Sequence, residues 1–289
     1  MNALADRRYR RPATWSTVLI LALSIPLLAL AEKKEFRYIL NSAGSLSLAN
    51  QKGSVTVKPS TGRQVVITAD HNSDKVEVDS SQNGSRINVR THNLGKASGE
   101  ELRVDYEIQV PADTSVSIDS EGGQIHVENL HSNVNVESED GDVDVRGVNN
   151  GTVQVQSVSG RVVLTDLHQT RVQVTSTGGN VQLSSVFGPN VTVKSTSGNI
   201  RYDGDFLGGG TYLLTNHSGD IEVMIPSNAS VDLTARSVKG KVENDFPLRK
   251  PIHSSFQLTE GKALAGTSNS GASSVELRSF SGRIRVKKQ

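Results

Sequence analysis

From residue 114 to the end of the chain, apolar and polar residues alternate in short runs, and the runs recur. Strict alternation predicts strands with one buried face, because side chains reverse direction at every residue. Each run closes on a serine or asparagine three residues before a glycine, and mostly β-branched or aliphatic residues stand two and four positions after that glycine. The glycines are Gly123, Gly141, Gly160, Gly179, Gly198, Gly219, Gly240 and Gly282, spaced by 18, 19, 19, 19, 21, 21 and 42 residues, the last being two periods of 21. A unit this short has no partner for its own apolar face, so the period predicts one supersecondary unit stacked on copies of itself.

Aligned on the glycine, the repeats read as columns. Val116, Val134, Val153, Val172, Val191, Tyr212, Leu233 and Val275 stand seven positions before it, and Ile118, Val136, Val155, Val174, Val193, Leu214, Ala235 and Leu277 five before. Ile125, Val143, Val162, Val181, Ile200, Ile221, Val242 and Ile284 follow it by two. These are the expected core. The polar column Ser120, Ser138, Ser157, Ser176, Ser195, Asn216, Ser237 and Ser279 keeps the inward parity, where a small side chain can bond the turn backbone or the adjacent rung. The glycine is expected to supply a positive φ at a tight corner. Outside, the residue after the glycine runs Gln124, Asp142, Arg161, Asn180, Asn199, Asp220, Lys241 and Arg283, a solvated face in which Asp142 beside Arg161 and Asp220 beside Lys241 would attract.

The expected fold is an all-β, single-domain parallel β-solenoid (β-helix) with rungs of about 19–21 residues. Asp140-Gly141 between alternating valines is also a hairpin signal, but propeller blades need about 40–50 residues, twice the period here. Residues 32–113 form an irregular N-terminal β region or cap, in which Leu46, Leu48, Asn50, Gly53, Val55 and Val57 already fit the template. Residues 114–289 are the regular repeats, with an irregular insertion at 246–274 that contains Pro247, Pro251 and a Gly/Ser-rich run. The closing Lys287-Lys288 is expected to discourage end-to-end stacking.

Residues 1–31 fit a signal peptide: Arg7, Arg8, Arg10 and Arg11 precede the apolar run 15–31, which closes on Ala29-Leu30-Ala31. If it is not cleaved, residues 15–31 are a membrane anchor. The expected location is therefore outside the cytoplasm, as a periplasmic, cell-surface or secreted protein. Removing 1–31 shifts the formal charge from +1 to −2, which leaves no basic field for nucleic acid. There are no cysteines, so stability must come from stacked apolar columns rather than disulfides.

Glu35-Phe36, Gly44-Ser45-Leu46-Ser47-Leu48, the repeated Ser-x-x-Gly-x-Val/Ile-x-Val, Phe246-Pro247-Leu248 and Ser281-Gly282-Arg283-Ile284-Arg285-Val286 together resemble the putative-adhesin family of bacterial exported and envelope proteins. The resemblance spans roughly residues 35–289. It implies a β-helical domain of unknown function and brings no catalytic or binding residues with it.

Chemistry is sparse. Glu121, Glu139, Asp140 and Asp142 gather at one corner and are the candidate ligands for calcium, a cation that takes six to eight oxygens. They lack the spacing of an EF-hand or a calcium-binding nonapeptide, and a solvated acidic edge is the simpler reading. Glu121 and Asp140 are the pair to examine for a polysaccharide lyase or hydrolase on this fold. Against an enzyme, the one tryptophan is Trp15, and no histidine falls in a metal-ligand or triad spacing. The expectation is a noncatalytic, adhesin-like protein without cofactor, whose partner is an envelope polymer or surface protein. A carbohydrate-active enzyme and a self-assembling scaffold are the alternatives.

Overall fold

The computed structural model describes residues 32–249 and 259–289, so residues 1–31, expected to be a signal peptide, and part of the 246–274 insertion lie outside the described residues. Within them the chain is all-β, with one 3-10 turn at Gly99–Leu102 and no α-helix. No helix among the described residues is long and apolar enough to cross a membrane.

The regular part is a series of two-strand rungs. These are β8 (Ser115–Gly122) with β9 (Ile125–Glu128), β10 (Val134–Asp140) with β11 (Val143–Arg146), and β12 (Thr152–Ser157) with β13 (Val162–His168). They continue through β14 (Arg171–Ser176) with β15 (Val181–Phe187), β16 (Asn190–Ser195) with β17 (Ile200–Gly204), and β18 (Thr211–Asn216) with β19 (Ile221–Ile225). The even-numbered strand of each rung joins one sheet and the odd-numbered strand the other, always in parallel. Asp140-Gly141 is therefore a corner between sheets and not a hairpin. The register matches like with like, as in Val134↔Val153↔Val172↔Val191↔Tyr212, and a single apolar core runs between the sheets.

The glycines hold the corners, but not through the backbone conformation expected of them. In the glycine file only Gly53 and Gly123 have φ in the left-handed region, at 117° and 112°. Close approach is the common cause. A Cβ on Gly141 would meet the carbonyl oxygen of Gly123, one on Gly160 that of Gly141, one on Gly179 that of Gly160, and one on Gly198 that of Gly179, all well inside 3.0 Å. The buried polar column fixes the same carbonyls. The hydroxyls of Ser157, Ser176 and Ser195 donate to the carbonyls of Gly160, Gly179 and Gly198 at 3.0, 2.9 and 3.0 Å. Asn216 reaches across a rung, donating from Nδ2 to the Gly198 carbonyl at 2.6 Å while its Oδ1 accepts from the Gly219 amide.

At the N-terminal end the chain is not stacked in sequence order. After β1 (Glu32–Ile39), the rung β2 (Ser45–Lys52) with β3 (Val55–Pro59) lies directly against β8 and β9, with Leu46↔Val116 and Val55↔Ile125 in register. The intervening β4 (Gln64–His71), β5 (Val76–Asn83), β6 (Arg86–Asn93) and β7 (Asp105–Val110) cover the outer side of that rung. There β1 on β4, β4 on β7 and β5 on β6 are antiparallel, which ends the parallel stack.

The C-terminal end holds the larger departure. The rung β20 (Val231–Ser237) with β21 (Val242–Asn244) does not contact β18 and β19 through its ladders. The chain instead forms the antiparallel edge strand β22 (Ala263–Thr267) on β20, then returns as β23 (Ser273–Ser279) and β24 (Ile284–Lys288), which lie between the two rungs. The last rung is therefore internal. Lys287 and Lys288 do not guard a stack end, and Asp220 neighbours Arg283 rather than Lys241, accepting its amide at 2.9 Å on Oδ1.

Charge explains this order. Register aligns Glu222, Arg285 and Glu243, so stacking β21 directly on β19 would set two glutamates side by side. With β24 between them, Arg285 lies 3.6 Å from both Asp220 and Glu243, and Lys287 donates to Glu222 at 2.7 Å. The pairs are partly exposed, Glu222 being their most covered member, and each contributes only about 0–1 kcal/mol, but together they distinguish the inserted rung from a sequential one.

Two outcomes follow from these contacts. Gly179→Ala should lower stability in urea unfolding by about 3 kcal/mol or more, because the obstacle is the Gly160 carbonyl, a backbone group that the buried Ser157 hydroxyl also holds; an unchanged midpoint would contradict the close-approach account. The hydrogen bond from Lys287, aided by the Arg201 and Arg285 charges, holds the Glu222 carboxyl below its ordinary 4.5. A lowered folded value stabilises above the unfolded value and is lost as pH falls through it. Glu222→Gln should therefore flatten the acid limb of stability below about pH 4.5, and identical acid slopes in the two proteins would rule this contribution out.

Candidate functional site

The acidic corner does not come together as a cation site. Asp140 lies opposite Gly122 in register, not opposite Glu121, and its Oδ1 accepts from the Ser159 hydroxyl at 3.0 Å. Asp142 is committed to the stack: Oδ1 accepts the Arg161 amide at 2.9 Å and Oδ2 lies 3.3 Å from the Arg161 guanidinium. Glu121 and Glu139 are exposed. Among the described residues no group of three or more His, Cys, Asp or Glu side chains is placed to hold a metal.

The Asp142 contact belongs to a ladder. Asn180 Oδ1 accepts the Asn199 amide, and Asn199 Oδ1 accepts the Asp220 amide, each at 2.9 Å. Short side-chain acceptors thus bridge the same position on successive rungs, so the Asp/Asn content of this column is structural although the face is solvated as expected. The sequence signal is the recurrence of short Asx side chains there, where Glu and Gln are nearly absent.

The opposite corner, where the odd-numbered strands of these rungs, which lie in the first sheet, hand over to the next rung, is more suggestive. Inward it presents Leu130, Val148, Leu167, Val186 and Phe206, all buried. The next residue of each faces out, giving the file His131, Asn149, His168, Phe187 and Leu207. Matched bulges produce this switch: Asp166 and Ser185 adopt φ of 54° each, between the paired positions Thr165↔Ser184 and Leu167↔Val186. One extra residue restores inward parity for Leu167 and Val186 and turns His168 and Phe187 outward.

The His168 and Phe187 rings stack with centroids 4.9 Å apart and 7° between planes. A shallow hollow of about 430 Å³ opens beside them, lined by His131, Asn149, Asn150, His168, Gln169, Phe187 and Leu207. Its backbone is tied from rung to rung: Asn149 donates to Leu130, Asn150 to His168 and Gln169 to Phe187, at 2.9, 3.1 and 2.7 Å. Behind Leu207 the Tyr212 hydroxyl donates to the Gly188 carbonyl at 2.8 Å and its oxygen accepts the Leu207 amide at 2.7 Å. Burial pushes this phenol above its ordinary range. The corner column lies outside the repeat read from the glycines, because the bulge changes its phase.

With this geometry in place the chain can be compared with known proteins. A family model described as toastrack DUF4097 matches residues 44–287. The chain belongs to the toastrack DUF4097 family. The toastrack match begins just before β2 and ends within β24, so it takes in the displaced rungs at both ends as well as the regular ones. No curated protein matches the toastrack chain. Among solved structures it is similar to a putative cell adhesion protein from Clostridium sporogenes, at 16% identity over 89% of this chain and 100% of that one, with a TM-score of 0.30. It is also similar to a putative adhesin from Bacteroides fragilis, at 12% identity over 89% and 97% of the two chains, with a TM-score of 0.43.

The Tyr212 bonds predict that Tyr212→Phe lowers stability by roughly 1–3 kcal/mol and speeds hydrogen exchange at the Leu207 amide. Wild-type exchange at Leu207 in the variant would show that the phenol does not hold the corner.

Proposed function

We propose that this toastrack protein is an exported, noncatalytic interaction protein of the cell envelope or surface, and that it contacts an extended polymer or a surface protein. The outer face of the second sheet carries the reading. Across seven consecutive strands Asn88, Ser47, Ser117, Asn135, Gln154, Gln173 and Thr192 stand in register as one uncharged file of amides and hydroxyls. At about 4.8 Å per step the file extends roughly 29 Å. Each group offers a donor and an acceptor, so an extended ligand can be held by many modest contacts instead of one deep pocket. The first-sheet face, in contrast, spends its charges on pairs such as Arg201 with Glu222 and Lys287 with Glu222.

Export rests on the character of residues 1–31, which lie outside the described residues. A carbohydrate-active enzyme would need converging carboxylates, and Asp140 is registered away from Glu121 and bonded to Ser159. A self-assembling scaffold would need a free parallel rung at an end, whereas antiparallel β1, β5 and β22 cover three of the four sheet edges.

The full chain, recovered from an exporting host, is mixed with intact cells, isolated envelope and insoluble polysaccharide and then sedimented. Saturable co-sedimentation with at least one of them is expected, weakened several-fold by Gln154→Lys with Gln173→Lys. Absence of binding to all three, or binding indifferent to the double variant, would count against the reading.

A further inference from the structure

We propose that the corner hollow beside His168 and Phe187 holds one ring of a neutral saccharide. This rests on the surface-interaction reading above and gives it a ligand class and a second contact point.

The hollow includes the stretch of the file between His131 and His168. Successive members of the file are one rung apart, because Asn149 donates to Leu130 on one side and is bridged to His168 on the other. His131 and His168 are therefore two rungs apart, roughly 10 Å along the stack. The residue between them fills little of that interval: the Asn149 amide turns back to the Gly147 carbonyl of its own corner, at 3.4 Å. Two van der Waals contacts of about 3.5–4.0 Å each fit such a gap with room for a puckered six-membered ring.

The walls suit sugar chemistry. The face of His168 is flat and is backed by Phe187, and the π face attracts the weakly positive C–H edges of a sugar ring. Asn150 and Gln169 contribute side-chain amides, each with donors and an acceptor, which match hydroxyls that are both. No Lys, Arg, Asp or Glu lines the hollow, so no permanent charge there compensates that of a phosphate or a nucleotide. The walls are also held before any ligand arrives. Asn150 and Gln169 adopt φ of 57° and 50°, a conformation uncommon for glutamine, and their backbone N–H groups donate to the next rung. With one open side and one ring engaged, affinity should be on the order of a millimolar.

The test uses the exported full chain and three neutral trisaccharides, maltotriose, cellotriose and tri-N-acetylchitotriose, with uridine as a neutral planar competitor. Binding is read by saturation-transfer NMR and by shifts of the His168 and Phe187 ring signals. At least one trisaccharide should bind in the millimolar range and perturb both rings. Phe187→Ala should weaken it at least tenfold. Asn149→Trp, which fills the gap without removing any core side chain, should do the same and serves if the first variant is unstable. The proposal is overturned if no trisaccharide binds, if binding survives Asn149→Trp, or if uridine binds in preference. Absence of trisaccharide binding by the wild-type chain with its co-sedimentation intact overturns the hollow alone, while absence of both removes the surface-interaction reading as well.

Discussion

The stack depends on one contact, the seating of a glycine Cα against the carbonyl oxygen of the glycine one rung away. A side chain at that place has nowhere to go, since the obstacle is a backbone carbonyl and not the movable end of a side chain. The buried serine hydroxyl makes the contact specific by binding the carbonyl that the next glycine approaches, so the corner leaves few polar atoms without a partner. Close corners bring the strands into register, and register in turn lines up Val on Val inside and Asx on Asx outside.

The file of glycine contacts does not follow the chain. It passes from Gly53 to Gly123, rises in order to Gly219, then goes to Gly282 and only afterwards to Gly240. Any rung could satisfy the apolar columns, because Ile221, Ile284 and Val242 are nearly interchangeable inside. The outer charges are not interchangeable, and Arg285 between Glu222 and Glu243 removes a repulsion that sequential stacking would create. The core therefore determines that rungs stack, while the surface determines which rung goes where.

This division also explains what is legible in the sequence. The all-β class and the two-sheet parallel repeat can be read from Val134, Val136 and Val143 and their counterparts, because burial leaves a period-two trace in residue type. The position of the last rung leaves no such trace, and it depends on a three-residue comparison between strands whose contact is unknown beforehand. The reason for the glycines is equally hidden, since a glycine required by a neighbour's carbonyl looks the same as one required by its own φ. The candidate site is less legible still. Asp140 and Asp142 draw attention as carboxylates but are engaged by Ser159 and Arg161, whereas His168 and Phe187 become neighbours only through bulges at Asp166 and Ser185.

The order of rungs is the claim on which the rest turns, and a chain without cysteine allows it to be measured directly. Leu213 is registered with Glu276, and Thr234 lies one rung beyond, on the far side of β23. Cysteines at 213 and 276 should close a disulfide under mild oxidation, because neighbouring strands bring their Cα atoms within the roughly 4.4–6.8 Å that a disulfide spans. Cysteines at 213 and 234 should stay reduced, being two rungs apart at roughly 10 Å. Ready closure of the 213–234 pair with an open 213–276 pair would mean that the chain stacks in sequence order, and would contradict the inserted rung and the glycine file built on it.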